Sequence, residues 1–124
     1  MGGIERFEDI DAWKEARKLT QEVYRTTDQH GFRKDTGLRE QLQRASVSIM
    51  ANIAEGFDGA TDREFLQFLG YALRSATEVQ SHLYVALDQR YIDPTVFEAL
   101  YTLSVTVKNL IGGFIRYLKA EHSK

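Results

Sequence analysis

The chain alternates between segments in which apolar residues recur every three or four positions and short segments rich in turn residues. A spacing of three and four places apolar side chains on one face of an α-helix. Four segments show this spacing and predict helices over about residues 9–26, 38–57, 62–90 and 94–121. The predicted core face of the third helix consists of Phe65, Leu69, Ala72, Ala76, Val79, Leu83 and Ala86. That of the fourth helix consists of Val96, Leu100, Leu103, Val107, Leu110, Phe114 and Leu118. No segment alternates with a period of two over a useful length. The pattern therefore predicts an all-α fold.

Two of the predicted helices begin at recognisable capping residues. Thr61 and Glu64 form a capping box, in which each side chain accepts a hydrogen bond from a backbone N–H that the helix leaves free. Asp93 precedes Pro94, and proline is favoured at the first position of a helix. These residues predict sharp starts for the third and fourth helices.

The lengths of the connections predict the topology. Residues 58–60 and the turn around residues 90–93 are too short to join anything other than antiparallel neighbours. Residues 27–37 have the composition of a turn and are predicted to be the longest loop. We expect Asp9 or Asp11 to cap the first helix. The prediction is one domain, residues 1–124, folded as an antiparallel up-down-up-down four-helix bundle.

Composition narrows the classes of protein that need to be considered. The 124 residues include one proline and no cysteine, which excludes disulfides, thiol catalysis and thiolate metal sites. The formal net charge is −2, whereas proteins held mainly by phosphate contacts are usually basic. The charged N-terminal residues do not resemble a signal peptide, and no apolar run is long enough to span a bilayer. We therefore expect a cytoplasmic protein.

The second helix carries more apolar residues than a bundle helix with a single buried face needs. One arc of about 80° is the expected core stripe. It consists of Leu38, Leu42, Ala45, Ile49 and Ile53. A second apolar arc lies on the far side and consists of Val47, Met50, Ala51 and Ala54. A helix that is apolar on two faces needs two burial partners, and the simplest second partner is another copy of the chain. The alternative is a monomer that exposes a few small apolar side chains.

A narrow polar stripe separates these two arcs and consists of Gln41, Arg44, Ser48, Asn52 and Glu55. Ser48 and Asn52 are spaced i, i+4, so that their side chains can interact. Glu55 stands among apolar residues and would need a partner if it were buried. That partner would come from the third helix or from another subunit. The candidates on the third helix are Arg74, Ser75 and His82, with Glu78 beside His82.

Enzymatic chemistry finds no positive support in the pattern. Glu78 and His82 are spaced i, i+4, but a metal site in a bundle wants Glu-x-x-His on two helices, which does not occur here. Glu5-x-x-Glu8 and Glu55-x-x-Asp58 match the acidic motifs of helical pyrophosphohydrolases only loosely. No phosphate-binding loop or nucleophile elbow appears. We predict no catalytic residue, no metal and no cofactor.

A weaker alternative is contact with nucleic acid near the predicted loop. Arg33, Lys34 and Arg39 could form a small basic patch there. Asp35 and Glu40 dilute its charge. The competing interpretation is an ordinary solvated loop.

Three segments resemble one known family. Residues 37–56 read GLxxQxxRAxVSIxANIAEG, residues 7–16 read FxDIxAWxxA, and residues 65–78 read FxxFLxxAxxSxxE. The first string closely resembles the signature of the bacterial four-helix-bundle proteins encoded by intervening sequences in 23S ribosomal RNA genes. The other two are similar to the first-helix and third-helix motifs of the same family. The resemblance covers nearly the whole chain.

The resemblance implies an antiparallel four-helix bundle that assembles into a ring-like homopentamer without an established enzymatic activity. We therefore expect a non-catalytic scaffold or adaptor. A more distant branch, the accessory variability proteins of diversity-generating retroelements, is similar in fold and implies a basic pentamer that binds nucleic acid and a reverse transcriptase. This chain departs from that branch, because five copies at −2 each would carry about −10. The alternative function is an accessory protein that associates with RNA or another nucleic acid, with a polymerase or the ribosome as a candidate partner.

Overall fold

The structure is a computed structural model that describes residues 3–122 of the chain. Within these residues every regular element is helical and no strand occurs, so that the prediction of an all-α fold is confirmed. A short 3₁₀ helix over Phe7–Asp9 precedes the longer elements. The helices are α1 (Asp11–Thr27), α2 (His30–Lys34), α3 (Thr36–Phe57), α4 (Asp62–Asp88) and α5 (Pro94–His122). None of the described helices combines the length and hydropathy needed to cross a bilayer.

The largest difference from the predicted elements is α2, which lies inside the predicted loop over residues 27–37. Its Phe32 is fully buried, and the ring centroids of Phe32 and Tyr91 are 5.2 Å apart. A helix of five residues gains little from its own hydrogen bonds, because forming the first turn is unfavourable. Burial of Phe32 stabilises it instead. A single buried ring has no periodicity, so the sequence pattern could not reveal this helix.

The start of α1 also differs from the prediction. Asp9 belongs to the 3₁₀ helix, Asp11 is the first residue of α1, and Ile10 occupies the capping position without a side-chain hydrogen bond. The prediction that Asp9 or Asp11 caps this helix is wrong. Ile10 is only 1% exposed, so burial of an apolar side chain orients the chain where it enters α1.

The other two predicted caps are confirmed. The Thr61 hydroxyl accepts a hydrogen bond from the Glu64 N–H at 3.1 Å, and an Asp93 carboxylate oxygen accepts one from the Val96 N–H at 2.8 Å. The Glu64 carboxylate accepts from the N–H of Ala60 at 3.1 Å, one residue earlier than a standard capping box. Both helices therefore begin where the sequence predicts.

The four long helices enclose an apolar core. Helices α1 and α3, α3 and α4, and α4 and α5 pack against each other, and α5 also packs against α1. All seven positions that the sequence selects on α4 are buried. They are Phe65, Leu69, Ala72, Ala76, Val79, Leu83 and Ala86. The four-and-three alternation therefore identifies the core face of this helix.

The predicted core face of α5 is confirmed only in part. Leu100, Val107 and Leu118 are buried, whereas Val96, Leu103, Leu110 and Phe114 are half-buried. Ile111 is fully buried beside the half-buried Leu110. Ser104 is likewise buried beside the half-buried Leu103. The buried residues of α5 keep the alternation of four and three, but at these two turns the core face lies one residue after the predicted position.

Helices α3 and α4 come together closely at Gly56. A Cβ atom added at Gly56 would lie 2.7 Å from the Phe68 Cβ and 2.9 Å from the Phe65 Cδ1. The Phe68 Cβ is attached to the backbone and cannot move away without shifting α4. Gly70, in the middle of α4, has open space around the same position. The glycine at position 56 is therefore required by helix packing.

We predict that Gly56→Ala destabilises the protein by about 1–3 kcal/mol, because the added methyl group forces the two helices apart. Gly70→Ala is the matched control and should stabilise it by up to about 1 kcal/mol, since alanine favours helix. Urea unfolding of both variants measures the free energies. Equal effects of the two substitutions would contradict the packing argument.

Asp35 connects the start of α3 to the turn between α4 and α5. One carboxylate oxygen accepts a hydrogen bond from the Leu38 N–H at 3.0 Å. The other accepts from the Tyr91 hydroxyl at 3.0 Å. Hydrogen bonding to Asp35, followed by partial burial and the Asp35 charge, raises the pKa of Tyr91 above its ordinary value. The Tyr91 hydroxyl therefore favours its protonated form in the folded protein.

We predict that this contact is lost in alkali. A group whose pKa is raised by folding contributes stability that is present below the unfolded pKa, about 10 for tyrosine, and is lost as the pH rises through the folded value. The difference in unfolding free energy between the wild type and Tyr91→Phe should stay constant from pH 7 to about pH 9 and shrink above pH 10. Urea unfolding across this pH range measures it. A difference that does not change up to pH 11 would contradict the assignment.

Candidate interaction surface on α3 and α4

The five core positions predicted on α3 are all buried: Leu38, Leu42, Ala45, Ile49 and Ile53. Their burial fixes the rotation of α3 and turns the polar stripe toward the edge that borders α4. In this stripe Gln41, Arg44 and Glu55 are exposed, while Ser48 and Asn52 are half-buried. The stripe therefore lies partly in the groove between α3 and α4 and partly in solvent.

Ser48 is the centre of a hydrogen-bond network across this groove. Its hydroxyl lies 2.9 Å from the hydroxyl of Ser75 on α4. The Asn52 amide donates to the Ser48 hydroxyl at 3.0 Å and to the Ser48 carbonyl at 2.8 Å. The i, i+4 spacing of Ser48 and Asn52 thus produces the interaction that it predicts, and Ser75 is their partner on α4.

A small cavity of about 240 Å³ opens at the same groove. It is lined by Gln41, Arg44, Ala45, Ser48, Ser75 and Glu78. The structure therefore brings part of the polar stripe together with two of the residues that the sequence selects on α4. The third, His82, is half-buried one turn further along, with its Nε2 3.9 Å from a Glu78 oxygen. The Glu78–His82 pair forms at its predicted spacing.

Neither charged residue of the polar stripe has a partner in the part of the chain that the structure describes. Among residues 3–122, Arg44 and Glu55 make no hydrogen bond or ion pair. Arg74, one of the candidate partners of Glu55, places its guanidinium carbon 5.9 Å from the centre of the Tyr71 ring. Glu55 is exposed, so water hydrates it in a single chain. A partner for Glu55 from α4 is not found, and a partner from another subunit stays a prediction.

Neighbouring residues partly cover two members of the second apolar arc of α3 and leave the other two exposed. Val47 is 42% exposed and Ala51 is exposed. Met50 is half-buried and packs against the core, and Ala54 is also half-buried. Only half of the arc therefore faces outward. On α4, the aromatic ring of Tyr71 is 37% exposed. The sequence pattern did not predict Tyr71 as an interface residue.

Met50 and Ala54, the half-buried residues of the arc, lie on the side of α3 that borders α1. Two hydrogen bonds join α1 to this side of α3: the Thr20 hydroxyl donates to the Ser46 carbonyl at 3.2 Å, and the Gln43 amide donates to the Thr27 hydroxyl at 2.9 Å. Both contacts hold α1 beside α3. Sequence periodicity shows which residues share a face of α3, but not which neighbouring helix covers that face.

The three basic residues near the predicted loop lie on α2 and early α3. Arg33 and Lys34 are exposed and Arg39 is half-buried. The Arg33 Nε lies 3.8 Å from an Asp28 oxygen, and Arg39 donates to the Arg33 carbonyl at 3.1 Å. Two of the three cations are therefore already engaged with groups of the chain itself.

No group of three or more metal-ligating side chains occurs in the part of the chain that the structure describes. In the same part, every buried side-chain nitrogen and oxygen atom has a hydrogen-bond partner. The hydroxyls of Ser48 and Ser75 are bonded to each other. The groove therefore presents a packed polar network flanked by the exposed side chains of Arg44, Val47, Ala51 and Glu55.

Comparison with known proteins places the chain in a family. The family model for the 23S rRNA-intervening sequence protein matches residues 8–113. The chain belongs to this family. The resemblance inferred from the three sequence strings is thereby confirmed, and the match includes the whole of α3, α4 and the groove between them.

One solved structure similar to this family member is a protein of unknown function from the S23 ribosomal protein family of Bacteroides thetaiotaomicron. The two share 22% sequence identity, with a TM-score of 0.78 over 85% of this chain and 95% of that one. This likeness concerns the fold. No curated protein shows significant similarity to the chain.

We predict that the Ser48–Ser75 contact couples the two helices. A double-mutant cycle of Ser48→Ala and Ser75→Ala should give a coupling energy of about 0.5–1.5 kcal/mol in urea unfolding. The cycle is needed because each alanine also gains helix propensity. Ser48→Ala combined with Ser81→Ala, an exposed serine on α4, should be additive. Additivity in both cycles would contradict the coupling.

Proposed function

We propose that this family member is a non-catalytic, self-associating helical-bundle protein that serves as a scaffold or adaptor in the bacterial cytoplasm. The observation that carries the proposal is the surface formed by Arg44, Val47, Ala51 and Glu55 on α3. It combines exposed apolar side chains with two charges that lack partners among the described residues. Contact with another subunit would bury the apolar side chains and provide partners for the two charges.

The proposed architecture is an antiparallel up-down-up-down bundle. Its support comes from the order of contacts between α4 and α5. Gln80 donates to the Ser104 hydroxyl at 3.0 Å, whereas Lys108 donates to the Thr77 hydroxyl at 3.1 Å. Residue numbers thus fall along α4 as they rise along α5. The order expected of antiparallel neighbours is also followed on α3 and α4, where Ser48 meets Ser75 and Gly56 meets Phe65.

Self-association is favoured by the chemistry of the exposed face. Interfaces combine an apolar centre with polar and charged groups at the rim, and Val47 and Ala51 lie between Arg44 and Glu55 along α3. Helical spacing puts these four residues on one side of the helix. The family resemblance implies a homopentamer, and we adopt five subunits as the proposed assembly. The groove network supports a structural role, since its hydroxyl and amide groups bond to one another.

An RNA-associated accessory protein is the second candidate. The observation in its favour is that Arg33 and Lys34 are exposed at one end of the helical domain, close in sequence to Arg39. Against it, Arg33 lies near Asp28 and Arg39 bonds to the chain itself. The net charge of −2 per chain would also repel phosphate. We therefore prefer self-association.

We predict that Glu55→Ala weakens the assembly by about tenfold or more in dissociation constant, because it removes one of the two unpaired charges of the proposed contact. Asn52→Ala should weaken it indirectly, because the Asn52 amide holds Ser48 in the groove network beside that contact. Glu22→Ala is the control. It removes a carboxylate from an exposed ion pair with Arg25 on α1, and such pairs contribute little. Native mass spectrometry over a dilution series reports the subunit count and any bound ligand.

Three outcomes decide the proposal. A wild-type chain that stays monomeric at micromolar concentration would reject self-association. Variants that keep the wild-type mass and melting temperature would show that the contact lies elsewhere. A bound mass that disappears on nuclease treatment would favour the RNA-associated alternative.

A further inference from the structure

Three aromatic rings form a continuous patch where α4 meets α5, on the edge of α4 opposite to the one that borders α3. Tyr84 lies near the end of α4, and Phe97 and Tyr101 lie in the first turns of α5. The ring centroids are 4.9 Å apart for Tyr84 and Phe97, 5.7 Å for Tyr84 and Tyr101, and 5.4 Å for Phe97 and Tyr101. We call these three residues the aromatic patch. It shares no residue with the α3 surface.

The aromatic patch is open to solvent. Tyr84 is 50% exposed, the largest exposed fraction among the large apolar and aromatic side chains of the described residues. Phe97 and Tyr101 are half-buried. Val85 and Val105, which are 43% and 38% exposed, are further exposed apolar side chains on the same two helices. Tyrosine is enriched at protein interfaces, because its ring has an apolar body and a polar end.

Negative charge borders these rings. Glu98 follows Phe97, and its carboxylate is close enough to act on the Tyr84 hydroxyl. The charge and the hydrogen bond of the neighbouring Tyr101, then partial burial and the charge of Glu98, raise the pKa of Tyr84. Asp88 is exposed and lies four residues after Tyr84, on the same side of α4. The faces of the aromatic rings and the carboxylates therefore all present negative potential to an approaching group.

Among the described residues, the nearest basic side chains in sequence form no ion pair with Glu98 or Asp88. Lys108 lies about two turns beyond Tyr101 and donates to Thr77 and to Gln80 at 3.1 and 3.3 Å. Arg90 stands in the turn after α4, beyond Asp88. The aromatic patch therefore combines the exposed Tyr84 ring with two nearby carboxylates, those of Asp88 and Glu98, that form no ion pair among the described residues.

We propose that the aromatic patch binds an arginine-rich segment of a protein partner. A guanidinium group stacks on an aromatic face through cation–π attraction and at the same time forms paired hydrogen bonds with a carboxylate. Lysine offers a point charge without the planar fork, so arginine is preferred. Single-stranded nucleic acid also stacks on aromatic rings, but it needs a positively charged groove, and here Glu98 and Asp88 oppose phosphate. This inference is independent of the proposed self-association, since it uses another surface and another partner.

The test measures binding of a fluorescein-labelled Arg-Gly repeat peptide to the full chain by fluorescence anisotropy. Lys-Gly and Glu-Gly repeat peptides are the comparators. We expect the Arg-Gly peptide to bind more tightly than the Lys-Gly peptide, and the Glu-Gly peptide not to bind. Raising the salt concentration should weaken the binding, because charge attraction between exposed groups is screened.

Variants locate the site. Tyr84→Ala should weaken binding of the Arg-Gly peptide by about three- to tenfold, because it removes the most exposed ring. Tyr84→Phe keeps the ring and should bind nearly as the wild type does. Glu98→Gln should weaken binding and reduce its salt dependence. Tyr117→Ala is the matched control, since Tyr117 is 44% exposed near the other end of α5. Melting temperatures verify that each variant is folded.

The proposal is overturned by any of three results. The Arg-Gly peptide could fail to bind the folded wild type, or it could bind Tyr84→Ala and Glu98→Gln as tightly as the wild type. The third result is a change in the native mass of the peptide-free protein in Tyr84→Ala, which would identify the aromatic patch as a contact between copies. Direct binding of a labelled single-stranded oligonucleotide to the wild type that is lost in Tyr84→Ala would also overturn the proposal, in favour of nucleic acid as the ligand.

Discussion

At Gly56 the backbone of α3 lies against Phe65 and Phe68 of α4, leaving no room for a side chain at that position. Further along the same pair of helices, the hydroxyls of Ser48 and Ser75 lie 2.9 Å apart. These contacts set the distance, the rotation and the register of α3 relative to α4. The burial of Ile53 and Leu69 in the core then follows from that register. The rest of the helical domain is arranged around this pair.

The rotation of α4 determines the character of both candidate surfaces. Its edge toward α3 carries Ser75 and Glu78, which line the small polar cavity, and His82, which lies one turn beyond Glu78. Its edge toward α5 carries Tyr84, which meets Phe97 and Tyr101. Because successive residues on a helix are separated by 100°, residues nine apart such as Ser75 and Tyr84 point to opposite edges. One helix thus separates a polar contact surface from an aromatic one.

The predictions from sequence succeeded where local rules decide. Thr61 and Asp93 cap their helices through hydrogen bonds made within four residues, and periodicity identified every core residue selected on α4. They failed where distant contacts decide. Residues 30–34 are helical because Phe32 packs against Tyr91, far away in sequence. Neither Asp9 nor Asp11 occupies the capping position of α1, because burial of Ile10 in the core places Ile10 there.

The amino-acid sequence alone determined the four long helices, the core faces of α3 and α4, and the family to which the chain belongs. All of these follow from short-range spacing and from strings of residues within one helix. Only the tertiary structure decided that Met50 and Ala54 are partly covered while Val47 and Ala51 stay exposed, and that Glu55 has no partner on α4. It also decided that Tyr84 meets two rings of α5. These features depend on how each helix is rotated against its neighbours, and that rotation is set by packing between residues distant in the chain.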